Sequence, residues 1–468
     1  MEPAEPAIKR VYIQNFGCQM NEYDVERMVE VLRAKGFESA PSAEDADLIV
    51  LNSCSIREKS EHKVASAAGR YKELKERKPG LVLAVGGCVA QQEGDRLLRR
   101  LPLADFTFGP DHIPAIPTLL EKFRGERRRF AATDVIDVED YRFLDADPRP
   151  GDVKVTALVT IQKGCDNHCA FCVVPATRGR EVSRPAGEVI AEVERFVALG
   201  AREVTLIGQN VNSYHAIGTP DGDDFAELLA RVCRVDGLER VRFTTSHPHD
   251  FTRKVAEAFR DLPKLCSYLH LPVQSGSSRT LKRMVRDYTR EEYLAQIDYL
   301  RALVPDISLS TDIIVGYPGE TDADFAETLS LLERVEYDFI YSFGYSPRPD
   351  TPALKLKLCD DVPESVKDER LQIVQELQRG ITERRLGRFI GREVEVLVEG
   401  ESRRNDGAQA LCGRARGNEM VNFPLPAGRA PRDFIGRLLP VRVTAARSHT
   451  LVGEFAGAGA TKRLPVLA

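Results

Sequence analysis

Along the first hundred residues, short apolar runs of β character alternate with polar stretches of helical length. Val11 to Phe16, Leu48 to Asn52, Leu81 to Val85 and Asp105 to Phe108 are the expected strands. A βαβ rhythm of this kind predicts a parallel sheet with helices on its faces. Three of the four strands run straight into a cysteine, Cys18, Cys54 and Cys88, with 35 and 33 residues between successive ones, one βα unit each. Thiols leaving carboxyl strand ends share the edge where open α/β sheets place their ligands, so these cysteines are expected to meet in space. Ser55 and Glu58 after Cys54 form a capping-box pattern, which puts its sulfur near a helix N-terminus where a thiolate is favoured.

Gly125 to Val153 is irregular, with a basic run, the acids Asp134, Asp137, Glu139 and Asp140, and Asp-Pro-Arg-Pro-Gly at 147–151, and reads as a linker. The alternation then resumes. Strands are expected near Val155 to Ile161, Val204 to Ile207, Val241 to Thr245, Ser267 to Leu271, Ser308 to Val315 and Phe339 to Tyr345, with helices such as Gly187 to Leu199, Phe225 to Val235 and Ala323 to Glu336 between them. Six β/α units are too few for the closed eight-stranded barrel, so a partial, open barrel is expected. After a helical stretch from Glu364 to Gly391, the segments Glu393 to Val398, Leu411 to Ala415, Met420 to Phe423 and Leu438 to Ala445 suggest a small β-barrel. The expected α/β plan is an N-terminal parallel domain at 8–125, a linker at 126–150, a partial (β/α)6 barrel at 151–378, a small β-barrel at 379–447 and a tail at 448–468. At about 150 residues per domain, 468 residues suit three domains.

Composition narrows the class: 43% hydrophobic and 29% charged residues exclude a mainly disordered, collagen-like or coiled-coil chain. Met1 to Arg10 lacks the apolar region of an export signal, and the longest apolar run, Leu81 to Ala90, is short of the roughly 18 residues of a membrane span. A cytoplasmic setting without a membrane is therefore expected, and ten cysteines there point to metal binding or catalysis rather than disulfides. Ile381 to Ala468 carry 15 Lys and Arg against 9 Asp and Glu, a net of +6 on a body of net −11. A basic module suggests an anionic partner, although a solvated basic surface would read the same way.

The sharpest local signal is Gly164-Cys165-Asp166-Asn167-His168-Cys169-Ala170-Phe171-Cys172, a C-x3-C-x2-C set in the loop after the first barrel strand. Its spacing differs from the C-x2-C-x2-C run of ferredoxins. Three thiolates can hold three irons of a 4Fe-4S cluster and leave the fourth iron open for a substrate or cofactor. Zinc is the competing reading, with His168 as the fourth ligand.

A C-x3-C-x2-C set at the mouth of a partial β/α barrel resembles the radical S-adenosylmethionine (SAM) superfamily. In that superfamily SAM chelates the open iron and is cleaved reductively to a 5′-deoxyadenosyl radical. The motifs Phe16-Gly-Cys-Gln-Met-Asn21, Asn52-Ser-Cys-Ser-Ile-Arg-Glu-Lys59, Gly86-Gly-Cys-Val-Ala-Gln-Gln92, Cys172 through Pro185, Gly208-Gln-Asn-Val-Asn212, Thr245-Ser-His-Pro248, His270 through Ser277 and Asp312 through Glu320 are similar to the methylthiotransferase family. Within it they most resemble the bacterial branch that modifies isopentenylated adenosine beside the tRNA anticodon. The likeness runs from about Val11 to Thr444, and one departure is Ala176, where that family is expected to carry Tyr.

The resemblance implies that Cys165, Cys169 and Cys172 hold the radical-generating cluster, and that Cys18, Cys54 and Cys88 hold an auxiliary 4Fe-4S cluster carrying the transferred sulfur. It implies conversion of the C–H at adenine carbon 2 to C–S–CH3 with two SAM, one methylating the sulfur and one supplying the radical. It further implies tRNA with its anticodon stem-loop, an electron donor such as flavodoxin or ferredoxin, and a sulfur source as partners. Gly413-Arg-Ala-Arg-Gly-Asn418 and Val421-Asn-Phe423 resemble the RNA-binding TRAM domain. Gly208, Gln209 and Asn210, at the second barrel strand end, are candidate SAM contacts. A threonylcarbamoyl-adenosine tRNA or a ribosomal-protein aspartate are alternative substrates, and a non-catalytic iron–sulfur RNA-binding scaffold is an alternative class.

Weaker signals carry two readings each. Cys233, Cys266, Cys359 and Cys412 fit small buried hydrophobes. The Gly316 to Glu320 turn, followed by Thr321 and Asp324, is accounted for by a capped strand-to-helix turn and also resembles SAM-contacting turns. His247, His249 and His270 stand near carboxyl strand ends, as catalytic or as structural hydrogen-bonding groups. Arg178, Arg180 and Arg184 could bind phosphate or the SAM carboxylate, or form a solvated charge run.

Overall fold

The computed structural model of the chain describes residues 10–55, 58–215, 223–356, 358–402, 409–426 and 428–456. The N-terminal sheet is parallel and six-stranded, in the order Glu38–Ser39, Arg10–Phe16, Leu48–Ser53, Val82–Gly87, Phe106–Phe108, Phe130–Ala132. Every residue of Leu48–Ser53 and Val82–Gly87 is buried. These central strands have helices on both faces, which is why they read as continuous apolar runs. The two short outer strands escaped the sequence reading. Glu38–Ser39 has only two exposed residues, and Phe130–Ala132 lies inside the span read as linker, which therefore contributes to the sheet.

The middle of the chain forms two three-stranded parallel sheets, Thr156–Thr160, Glu203–Ile207, Arg240–Phe243 and Tyr268–His270, Ser308–Val315, Phe339–Gly344. A single parallel bridge, Val241 to Leu265, joins them into the expected six-stranded open barrel. Alternate residues such as Val204, Leu206, Val241, Phe243, Leu269 and Leu309 enter the core shared with the outer helices. By the two-residue strand period, Glu203, Arg240, Arg242, Tyr268, His270, Ser308, Ser310 and Asp312 turn to the opposite face, so the lumen is polar. A closed barrel fills its interior with branched apolar side chains. This lumen is built to receive a ligand instead.

The open edge of the barrel is Thr156–Thr160, and helix Gln19–Ala34 of the N-terminal domain packs against it. Buried ions tie the two domains together: Lys163 Nζ lies 2.7 Å from Asp111 Oδ1, and Arg27 sits 4.0 Å from the fully buried Glu192. Removing one partner of such a pair would leave an uncompensated charge, at a cost of about 3–5 kcal/mol. The N-terminal domain therefore serves as the missing wall of the barrel.

Helix Glu364–Gly387 leads into a closed barrel of Glu393–Glu401, Ala410–Arg414, Met420–Pro424, Thr450–Phe455 and Leu438–Ala446, in that order around the ring. Two expected boundaries move. Residue 379 falls inside the helix, and Thr450–Phe455, placed by the sequence in a tail from 448, is the strand that closes the barrel between Met420–Pro424 and Leu438–Ala446. The loop after Ala410–Arg414 docks under the central barrel. Arg242 donates to the carbonyls of Arg416 at 2.9 Å and Ala415 at 2.8 Å, and Arg240 to that of Arg414 at 2.7 Å. Arg416 reaches back to the carbonyls of Pro263 and Leu265, and Ser308 donates to Glu419 at 2.6 Å. Gly413 to Asn418 thus seals the amino-terminal end of the central barrel. Among the described residues, no helix is long and apolar enough to cross a membrane.

Candidate functional site

The three thiols of the C-x3-C-x2-C loop gather at the carboxyl end of Thr156–Thr160. Loop hydrogen bonds fix their spacing: Cys172 N–H donates to Cys169 O at 3.0 Å, Cys165 N–H to Gly179 O, and Ala170 N–H to Met284 O. Burial together with the neighbouring Cys169 pushes the thiols of Cys165 and Cys172 up to about 11 and about 12. Proton release is thus left to whatever cation replaces the protons. Two groups attend Cys169: Arg286 Nη1 donates to its Sγ at 3.2 Å, and His247 Nε2 lies 3.8 Å away. Burial, reinforced by Arg286, draws His247 down to about 2. Because its Nδ1 accepts the His249 N–H at 3.2 Å, the proton of this neutral imidazole sits on Nε2, facing the sulfur.

Arg286 carries no motif and the sequence reading missed it. Each of its nitrogens is bonded, with Nε donating to Tyr288 Oη and Nη2 to Pro272 O, both at 2.9 Å. Its flanking residues Val285 and Asp287 both have positive φ, 55° and 51°, as do Thr245 at 69° and Gln274 at 73° on adjacent strand ends. Left-handed backbone is costly for β-branched Val285 and Thr245, and such strain collects where a side chain must be aimed.

Gly208, Gln209 and Asn210 stand beside the cysteine loop. A Cβ on Gly208 would lie 2.7 Å from Gln162 Oε1, the atom that accepts the N–H groups of Gln209 at 2.8 Å and Asn210 at 3.1 Å. The Gln209 side-chain oxygen accepts the Gly164 N–H, and Asn210 Nδ2 donates to Asp250 at 2.7 Å. Gln209 Nε2 and Asn210 Oδ1 are buried without a partner. A free donor and a free acceptor suit an amino acid's carboxylate and ammonium.

The other three thiols meet as the strand pattern implies. Cys18 precedes helix Gln19–Ala34, and Cys88 opens helix Cys88–Glu93. A hydrogen bond with Cys54 draws Cys18 down to about 6, while burial raises Cys88. The Glu58 side chain of the expected Ser55 to Glu58 capping box lies outside the described residues. Arg178, from helix Val174–Arg178 after the cysteine loop, crosses the domain boundary. Its Nε donates to Cys88 Sγ at 3.3 Å, and its two terminal nitrogens grip Asp24 at 3.2 and 2.6 Å.

The buried Arg178 and Arg184 are committed to carboxylates, whereas Arg180 is exposed. Arg178 is held by Asp24, Arg180 by Asp166 at 2.7 Å, and the fully buried Arg184 pairs with Glu192. His249 is exposed beside Asp250, and His270 hydrogen bonds Ser310 in the lumen. Cys233 and Cys266 are buried, whereas Cys412 is half-buried and Cys359 is exposed. Thr321 caps helix Asp322–Val335 with Asp324, as the sequence implies. Ala176 is exposed on its short helix. Among the described residues no three His, Cys, Asp or Glu side chains close to the spacing of a single metal ion, and His168 is exposed.

Three segments match known domains: residues 159–332 the radical SAM superfamily, 10–109 the uncharacterized protein family UPF0004, and 387–456 the TRAM domain. The chain is 50% identical over 97% of its length to the tRNA-2-methylthio-N(6)-dimethylallyladenosine synthase of Anaeromyxobacter dehalogenans, covering 96% of that protein. The synthase of the same name from Myxococcus xanthus is 49% identical, with 96% of this chain and 94% of that protein covered. The chain belongs to the tRNA-2-methylthio-N(6)-dimethylallyladenosine synthase family. Membership makes it an enzyme with a radical SAM domain, for which one 4Fe-4S cluster and SAM are implied. Its fold is shared by the radical SAM methyltransferase TsrM of Kitasatospora setae, at 15% identity and a TM-score of 0.55 over 74% of each chain.

Proposed function

We propose that the chain converts N6-isopentenyladenosine beside the tRNA anticodon to its 2-methylthio derivative, with Cys165, Cys169 and Cys172 holding one 4Fe-4S cluster and Cys18, Cys54 and Cys88 a second. The observation that carries this reading is the pair of three-thiol sets on separate domains facing one interface, with Arg178 of the first loop touching Cys88 of the second set. When bound, the clusters and SAM supply the electron, the methyl group and the sulfur. The residues do the rest. Gln209 Nε2 and Asn210 Oδ1 offer an unpaired donor and acceptor to the SAM amino-acid group, and the Arg286 cation balances charge at Cys169 while the neutral Nε2–H of His247 faces the same sulfur. Helix Gln19–Ala34 against the open barrel edge excludes water from that side. The names of the relatives favour this substrate over a threonylcarbamoyl-adenosine tRNA or a ribosomal protein. A flavodoxin or ferredoxin as reductant and a separate sulfur source belong to the same proposal.

Iron content and two activities test it together. Anaerobic reconstitution should give about eight irons per chain. Replacing Cys165, Cys169 and Cys172 with Ala should halve the iron and abolish reductive SAM cleavage. Replacing Cys18, Cys54 and Cys88 should halve it too, yet leave SAM cleavage measurable and end methylthiolation of an isopentenylated anticodon stem-loop. Full methylthiolation by the second triple variant, or equal turnover of the stem-loop without its prenyl group, would overturn the reading.

A further inference from the structure

The short helix Val174–Arg178 touches both thiol sets. At its start the Val174 N–H donates to Cys172 Sγ at 3.4 Å, and at its end Arg178 Nε donates to Cys88 Sγ at 3.3 Å. Five residues at about 1.5 Å each span only ~7.5 Å, so one stiff turn carries a dipole to one set and a full cation to the other. Arg178 is 5% exposed and its salt-bridge partner Asp24 is 4% exposed, so water does not screen the charge. Asp24 stands on helix Gln19–Ala34, the element that begins beside Cys18, and grips both terminal nitrogens while leaving Nε to the sulfur. A buried guanidinium could be neutralised more simply by the carboxylate alone. Here the remaining nitrogen, Nε, donates to a thiol of the neighbouring domain.

From this geometry we infer that Arg178 is a positioning residue that reaches out of the radical SAM domain to set the charge, and with it the redox poise, of the Cys18, Cys54 and Cys88 centre, with Asp24 as its counterweight. The inference rests on the second-cluster reading above. A cation donating to a ligating sulfur stabilises the more negative, reduced form of a cluster and raises its potential. Asp24 opposes that effect. The two residues should therefore shift the potential in opposite directions, which a general loosening of the interface could not do.

The test uses the full chain with Cys165, Cys169 and Cys172 replaced by Ala, so that only the second centre is seen, reconstituted anaerobically and followed by EPR during a dithionite titration. Adding Arg178→Gln should lower the midpoint by the equivalent of about tenfold in the oxidised-to-reduced ratio, ~59 mV for one electron. Arg178→Lys should recover part of this shift, and Asp24→Asn should raise the midpoint instead. Retained iron with no shift in Arg178→Gln, or shifts of one sign in both Arg178→Gln and Asp24→Asn, overturns the inference. If Arg178→Gln holds no iron, Asp24→Asn still decides by its sign. A parent triple variant without iron removes the second-cluster reading itself, and the inference with it.

Discussion

Arg286 donates to Cys169 Sγ at 3.2 Å from a position 117 residues downstream, between two residues of positive φ. A permanent cation thus stands against the one thiol of its set that lies beside His247. Replacing Arg286 with Met keeps much of the volume and removes the charge. The variant should lose reductive SAM cleavage by at least tenfold, about 1.4 kcal/mol in the barrier, while iron bound at Cys18, Cys54 and Cys88 persists. Iron analysis and 5′-deoxyadenosine formation measured side by side would check this.

Glu181, whose charge is felt at the Cys165 thiol, offers a pH test. Burial, opposed by the Ser213 hydroxyl that donates at 2.7 Å, raises its carboxyl to about 7. For an acid whose folded pKa is raised, the unfolded state releases its proton first. The fold is therefore favoured below the ordinary carboxyl range and loses that advantage as pH rises through about 7. Glu181→Gln should flatten this part of the stability curve, raising Tm at pH 8 relative to the parent and leaving it unchanged at pH 4.5. An unchanged difference between the two pH values would show that another group titrates.

The docking of the C-terminal barrel under the central one predicts a large stability loss. Arg242 holds two carbonyls of the C-terminal barrel and an ion pair of 3.0 Å with Glu203. Arg242→Met leaves a buried carboxylate and two buried carbonyls unpaired and should cost about 3–5 kcal/mol. The expected readout is a lower denaturation midpoint together with proteolysis near Arg388 to Gly391, the connection between helix Glu364–Gly387 and the barrel.

The same interface separates two kinds of basic residue. Arg432, Arg437 and Arg447 are exposed on the C-terminal barrel, whereas Arg416 is spent on Pro263 and Leu265. Arg432→Gln, Arg437→Gln and Arg447→Gln together should weaken tRNA binding at low salt and reduce the salt slope by about one for each phosphate that is no longer neutralised. Arg416→Gln should change thermal stability and leave that slope alone. Filter binding at about 50 to 200 mM salt would tell the two apart.

Much of this was legible in the sequence because it rests on local periodicity. Ser308–Val315 coincides with its expected strand, and the βα spacing of Cys18, Cys54 and Cys88 was enough to bring three distant thiols together. The edge strands Glu38–Ser39 and Phe130–Ala132 left no signal because two or three residues cannot display a period. Thr450–Phe455 forms an antiparallel hairpin with Leu438–Ala446 beside it in sequence, and was missed because Gly453 and Glu454 interrupt its short apolar run. Arg178, Asp24 and Arg286 were opaque for a different reason. Each makes its decisive contact across 90 or more residues, and an arginine in a basic run looks the same whether it faces water or a buried sulfur.

The sealed amino-terminal end of the central barrel has a consequence for traffic. With Arg242 and Ser308 bound to the C-terminal barrel below, and helix Gln19–Ala34 packed against one side, the polar lumen is left to open at the carboxyl strand ends. An anticodon loop seated over that end would stand in the way of small molecules behind it, so that a tRNA held too tightly would slow turnover rather than help it.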